Sequence, residues 1–304
     1  GHPSCINRDP LGGGPVRKSR TAYLFIAPAM IYAMVFVLLP IAGVVFLSGT
    51  DYNILRGSPA WIGLRNYVEL VKDQRFLVSF RNTLVFMAGV IPSGIVLSLL
   101  LAVGINMKMK GRGVFRSIYY LPQVTSFVAV GVVWHWIFEP RFGLANFILR
   151  KSGLSGLRWL TDPSTALFAL MIVHVWKFLG YKMVIFLAGL QSIPESLYEA
   201  SAIDGAGRVT QFVSITVPML KPILFYVFAT GCIGGFQIFD LIYVMTQGGP
   251  LNSTTTVVHQ IFLNAFEYFN LGIASAMSLV LFAIILMLTV ANFRLFGSVF
   301  RGGE

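Results

Sequence analysis

Six apolar runs, at approximately 22–47, 80–105, 117–138, 165–190, 223–246 and 271–293, leave this chain little choice of fold. Each reaches the ~20 residues that a helix needs to cross the ~30 Å hydrocarbon core of a bilayer. In that medium only helices and closed barrels satisfy their own backbone. Charged residues are 12% of the 304 and hydrophobic residues 56%, where a soluble domain carries about 25% charged residues. The reading is an all-α membrane protein with six transmembrane helices. A polar leader over 1–21 precedes a transmembrane domain over 22–293, and a short tail covers 294–304. The first run is too long for a cleaved signal segment. It contains Pro28 and Pro40, expected as kinks or end points. Because the sequence opens without methionine, its start is read as processed or as a remnant of a longer product.

The net charge of +11 invites a nucleic-acid reading. The cations argue against it, since they are scattered over connecting segments instead of forming one stripe. Orientation in the membrane explains many of them. Arg8, Arg17, Lys18 and Arg20 precede the first span, and Lys108, Lys110, Arg112 and Arg116 crowd the short connection after the second. Short basic connections face the cytoplasm. An even number of spans then puts both termini and the segment 191–222 on that side. Segments 48–79 and 139–164 fall outside, the first read as a folded lid around Trp61 and Asn66, the second as a turn-rich connection. Either could face an external protein. Cys5 and Cys232 differ too much in setting to form a staple.

One polar insert stands out between the apolar runs, Glu199 to Pro222, which carries Glu199, Asp204, Arg208 and Lys221. It reads as two short helices joined at Asp204-Gly205. Ser192 stands three residues before Glu195, the spacing of a capping box, and Pro194 suits a first helical turn. Leu197, Ala200 and Ser201 share one helical face, small enough to lie against another protein. Gly205 and Gly207 punctuate the pair, while Pro218 and Pro222 bracket its exit.

Glu199-Ala200, Asp204-Gly205-Ala206, Phe212, Ile215, Pro218 and Pro222 resemble the EAA loop of ABC-importer permeases. The flanks Leu190 to Pro194 and Thr246-Gln247-Gly248-Gly249-Pro250, followed by Thr254 to Thr256, resemble the carbohydrate and glycerol-phosphate branch, with its maltose-type and glycerol-3-phosphate-type members. Two small departures are Ser201, where alanine is usual, and Val217, where leucine is commoner. The resemblance runs roughly from Ala22 to Phe293. It implies the type I ABC importer permease fold in a bacterial inner membrane, with the loop as a cytoplasmic coupling helix. Glu199, Ala200, Ser201, Asp204, Gly205, Ala206, Ile215 and Pro218 are the residues it assigns to docking on an ATPase.

Charged groups within spans are expensive and point to a pathway. Lys177 and Lys182 lie in the fourth run, Gln237 and Asp240 in the fifth. Lys177, Tyr181, Lys182, Gly234, Gly235, Gln237 and Asp240 are read as the lining of a polar solute cavity, with His174 close enough to share it. The competing structural reading is an interhelical ion pair between a lysine and Asp240, or snorkelling of the lysines to water. His135, between Trp134 and Trp136, reads as an interfacial residue beside aromatic anchors.

No spacing of His, Cys and carboxylates suits a metal, and no nucleophile elbow is present. A Gly-x-x-x-x-Gly-Lys-Ser/Thr loop is also missing from the sequence, so ATP phosphates have no cradle here. The expectation is a permease that is not itself an enzyme and holds no cofactor. Its ATP and magnesium would sit on a separate ATPase, either two subunits or a homodimer. A second homologous permease and an extracytoplasmic solute-binding protein complete the expected assembly. The solute is expected to be a sugar or of glycerol-phosphate type: glycerol 3-phosphate, a glycerophosphodiester or an oligosaccharide. A gradient-driven secondary transporter would account for the in-span charges, but not for the loop signature, and no inverted repeat is visible. A membrane-embedded enzyme would need an acid/base pair or a metal cluster, and none is found.

Overall fold

The computed structural model describes residues 20–107 and 111–301, and among these the architecture is helical, with isolated bridges and no strand. Arg8, Arg17, Lys18, Cys5, Lys108, Lys110 and the end of the tail lie outside the described residues. Helix α1 (Arg20–Ala33) passes through a π-helical turn at Met34–Leu38 into α2 (Leu39–Ser48). This apolar rod forms a unit of its own as far as Phe46. It ends at neither Pro28 nor Pro40. The widened turn comes immediately before Pro40, where a proline lacks its donor and crowds the preceding turn.

The second unit begins at Leu47. It contains α3 (Arg65–Lys72), α4 (Gln74–Asn106), α5 (Arg112–Val124), α6 (Phe127–Ile137), α7 (Leu144–Lys151) and α8 (Ala166–Gln191). Then come α9 (Glu195–Ile203), α10 (Arg208–Gln211), α11 (Val217–Met219), α12 (Lys221–Phe236), α13 (Asp240–Met245), α14 (Val257–Phe262) and α15 (Leu271–Arg301). The central contact is α4 against α8, with α5 and α12 packed on the same pair. One apolar core gathers Phe86, Leu170, Val173, Phe236, Leu241 and Met277. A second holds Leu99, Met183, Phe186, Leu190, Leu220 and Val227.

Two of the six expected spans are not straight helices. The run 117–138 splits at Thr125-Ser126, where α5 and α6 meet at 101°. Both residues are extended, and the Ser126 hydroxyl accepts the Val128 N–H to start α6. Pro122, just upstream, has already removed one rung of the helical ladder. The run 223–246 breaks after Phe236. With 16 residues, α12 is about 24 Å long at 1.5 Å per residue, and Gln237 to Phe239 are non-helical before α13. A 65° bend at Leu220 separates α12 from the helices before it. Among the described residues, Phe25–Ser48, Gln74–Asn106, Ala166–Gln191 and Leu271–Arg294 are each long and apolar enough to cross a membrane, which makes four, or six if each bent pair is one span.

The connecting segments are built, not loose. Buried Asn66 donates to the carbonyls of Ser48 and Thr50, both at 2.8 Å, and Thr50 bridges to Trp61. Asn146 plays the same part in 139–164, donating to Pro140 and Leu157 and accepting from the Trp159 indole at 2.9 Å. Between the fifth and sixth runs, buried His259 pairs with the Thr255 hydroxyl at 3.0 Å.

Close helix approach rests on Gly180. A Cβ there would overlap the Tyr119 carbonyl of α5, and backbone cannot give way as a side-chain tip can. Gly180→Ala should therefore cost about 3 kcal/mol, the upper end for overpacking, read as a lower melting temperature in detergent.

Burial holds the His259 imidazole below its ordinary value of 6.5, with Glu267 pulling the other way. Between 6.5 and that depressed folded value, the unfolded chain binds the proton and the folded one does not, so stability falls as pH falls through this window. A melting series from pH 7.5 down to 5 should show the decline, and His259→Gln should flatten it.

Candidate coupling hairpin and polar cavity

Helix α9 ends in a Schellman closure. The Ala206 N–H donates to the Ser201 carbonyl at 2.9 Å and the Gly205 N–H to Ala202 at 3.1 Å. Gly205 holds φ at +80°, in the left-handed region that glycine enters without a Cβ penalty. The chain then turns directly into α10. A side-chain clamp locks the two helices together. The Gln211 amide donates to the Tyr198 carbonyl at 3.1 Å and to the Ser201 hydroxyl at 2.9 Å. Ser201 passes the chain on to Tyr198, whose phenol meets the Thr216 hydroxyl at 2.9 Å.

Several local expectations for this hairpin change. Ser192 does not form a capping box with Glu195. It caps the end of α8 instead, donating to the Gly189 carbonyl at 2.8 Å, and Pro194 sits just before α9 with no side-chain cap. The reason is that α8 runs on to Gln191, so Ser192 meets a free carbonyl before any free N–H. Leu197 and Ala200 are exposed, but Ser201 turns inward to the clamp. Glu199, Asp204 and Gly205 are exposed, whereas Ala206, Ile215 and Pro218 are half-buried. Ile215, with Tyr198 and Phe212, packs on the second apolar core and so belongs to the stem of the hairpin. Ile203 and Val209 flank the turn at 87% and 78% exposure, an apolar tip on a polar element. Sequence reasoning passed over this pair, although two apolar residues either side of a glycine turn in a polar insert are a readable signal.

The in-span polar residues part company along α8. Lys177 is fully engaged: its ammonium donates to the carbonyls of Pro122 at 2.9 Å and Thr125 at 2.6 Å, and lies 4.5 Å from the Phe127 ring centroid. These are the carbonyls that the α5–α6 break leaves without helical donors. Neither in-span lysine pairs with Asp240, since the only salt bridge among the described residues is Arg65–Glu69.

A cavity of about 290 Å³ opens between α4, α8 and α12. Tyr181, Lys182, Gly234, Gly235, Gln237 and Asp240 line it, and Lys177 does not. His174 faces the same space, beside Phe178 at 4.6 Å between ring centroids. Gly235 is where α12 comes against Met87 of α4, while Gly234 faces open space. The break after Phe236 is stapled by the Thr256 hydroxyl, which donates to the Ile238 carbonyl at 3.1 Å. Gln237, at that break, is exposed to the cavity. Phe127, Phe239 and Thr230 complete the wall; nothing in their local pattern marked them.

Broken spans around a largely apolar cavity that carries Lys182, Gln237 and Asp240, beside a clamped polar hairpin, fit a membrane transport protein. Residues 94–298 match the binding-protein-dependent transport system inner membrane component family, and the chain belongs to that family. It is 36% identical over 91% of its length to the trehalose/maltose transport system permease protein MalF of Thermococcus litoralis, covering 94% of that protein. It is 33% identical over 90% of its length to the sn-glycerol-3-phosphate transport system permease protein UgpA of Yersinia pestis, covering 92% of it. In fold it matches a chain from the crystal structure of a bacterial alginate ABC transporter in complex with an alginate pentasaccharide-bound periplasmic protein. The TM-score is 0.81 at 22% identity, covering 92% of this chain and 94% of that one.

Lys177→Met should remove two charge-assisted bonds and leave the Thr125 carbonyl without a donor, while Pro122 keeps the Thr125 hydroxyl at 2.7 Å. The expected loss is about 3 kcal/mol, from charge-assisted bonds of about 1.5–3 kcal/mol each. Melting of the purified chain would register it, with Lys177→Arg recovering part.

Proposed function

We propose that this chain is the transmembrane subunit of an ATP-driven, binding-protein-dependent importer, and that it forms the path for a sugar or glycerol-phosphate-type solute. The carrying observation is the exposed Ile203/Val209 tip on a hairpin whose two helices are locked by Gln211 and rooted in the core between the spans. Relatives named as sugar and glycerol-phosphate permeases support the solute class.

In this reading each bent pair is one span, giving six, with both termini and the hairpin in the cytoplasm. ATP and magnesium belong to a separate ATPase pair, two subunits or a homodimer. A second permease completes the path, and an external solute-binding protein delivers the solute, meeting segments 48–79 and 139–164. The hairpin face formed by Glu199, Ala200, Asp204 and Gly205 docks on the ATPase together with Ile203 and Val209. Ser201 and Ala206 hold its shape, and Ile215 and Pro218 carry its motion into α12. When ATP closes the ATPase pair, the hairpin moves as a rigid lever. The spans then rock about the cavity lined by Tyr181, Lys182, Gly234, Gly235, Gln237 and Asp240. Lys177 braces the bent α5–α6 span during that motion.

The test is ATP hydrolysis and subunit content of the tagged complex purified from its own membranes, beside Gly205→Asp. Aspartate at φ +80° strains the turn and adds charge at the tip. The variant should lose the ATPase chain and at least tenfold of solute-stimulated hydrolysis while keeping the second permease. An ATPase missing from the wild type even after crosslinking in the membrane overturns the importer reading. Uptake driven by an ion gradient and indifferent to ATP would favour a secondary transporter in its place.

A further inference from the structure

Among the described residues, two buried polar side chains of the cavity, Lys182 and His174, make no hydrogen bond. Lys182 is 9% exposed and lines the cavity, and its ammonium makes no hydrogen bond or ion pair among the described residues. His174 is 8% exposed, and its Nδ1 is buried without a hydrogen bond. Space for the lysine is provided on the facing helix. A Cβ on Gly94 of α4 would come within 2.7 Å of Nζ, so the ammonium rests against bare backbone where any other residue would displace it.

The contrast with Lys177, five residues earlier on α8, is informative. That ammonium is consumed by two carbonyls and a ring. An uncompensated charge within a bilayer is costly, and an apolar residue of similar size would be the stable choice if Lys182 only filled space. A lysine kept unpaired, walled by the His174 imidazole and opening on a cavity, is a site missing its counter-charge.

We propose that the solute carries an anionic group (carboxylate, phosphate or sulfonate) on a hydroxylated body, and that Lys182 is the residue that selects for it. The inference rests on the reading above, that the cavity lies on the solute path. His174 adds a ring N–H donor to the anion. The Asp240 carboxylate, in the same cavity but outside ion-pair distance of Lys182, repels the anion from its own side and accepts hydroxyls of the solute. Gln237 can do both. The aromatic faces of Phe178 and Phe239 suit the apolar face of a sugar ring.

The experiment is uptake into proteoliposomes holding the complete importer with its binding protein, with and without internal ATP. Probes are matched pairs that differ in charge: digalacturonate against galactobiose, glycerol 3-phosphate against glycerol, and 6-sulfonated glucose against glucose. These arms also separate the three kinds of anion. In at least one pair the anionic member should accumulate tenfold or more over the neutral one. Lys182→Met should cut that uptake at least tenfold while its melting temperature equals or exceeds the wild-type value, and Lys182→Arg should restore a third or more. Gly94→Ala keeps the charge but moves it, and should lose about threefold or more of anion uptake.

Preference for the neutral member in every pair, or unchanged anion uptake in Lys182→Met, overturns the proposal and leaves the importer intact. A fall in melting temperature with equal loss of neutral and anionic uptake would make Lys182 structural and also overturns it. If no probe accumulates with ATP in the wild type, the importer reading falls and takes this proposal with it.

Discussion

A carbonyl freed inside a bilayer has no water to bond, and this chain frees carbonyls twice within its spans. At the α5–α6 break the solution is a cation brought from another helix: Lys177 donates to Pro122 and Thr125, and the cost of burying an ammonium is offset by the two bonds it completes. At the end of α12 it is a hydroxyl, Thr256 on the Ile238 carbonyl. Both breaks lie at the walls of the cavity, since irregular backbone is tolerated at membrane depth only where protein or a polar space replaces lipid. The cavity and the bends that shape it thus depend on the same few cross-helix hydrogen bonds.

The hairpin works under a different constraint. A helix of nine residues alone is marginal, and the lever role proposed for it requires that it not bend. Its stiffness comes from the closure at Gly205, the Gln211–Ser201–Tyr198 clamp and the seating of Tyr198, Phe212 and Ile215 on the apolar core around fully buried Leu220. Leu220 sits at the 65° bend where the hairpin's stem meets α12. A displacement of the tip therefore reaches α12, α8 and α4 through one packed cluster, which has little freedom to absorb it.

Periodicity and motif made much of this legible, with particular exceptions. The apolar runs marked α4, α8 and α15 because each is a single helix long enough to span. They misled at 117–138 and 223–246, where apolar residues continue across a change of direction and hydropathy alone cannot register a turn. Pro122 and Gly234-Gly235 were visible, but such residues are tolerated within spans as often as they break them. Gly205 was legible as a turn because its chemistry is local. Ser201, read as part of a docking face, proved to be inside the clamp, since its partner Gln211 approaches only once α10 has folded back.

Sequence by itself determined that the chain lives in lipid, where the polar insert falls and which side chains carry charge into the spans. Those properties follow from composition and from interactions reaching no further than a helical turn. Tertiary structure alone decided that Lys177 and Lys182, five residues apart on one helix, have opposite fates. About five residues at 100° each turn them onto different faces of α8. One meets the open carbonyls of a bent neighbour and the other meets Gly94 and an open cavity. What lies opposite each face is set by the packing of α4, α5 and α12, which no local pattern in α8 encodes.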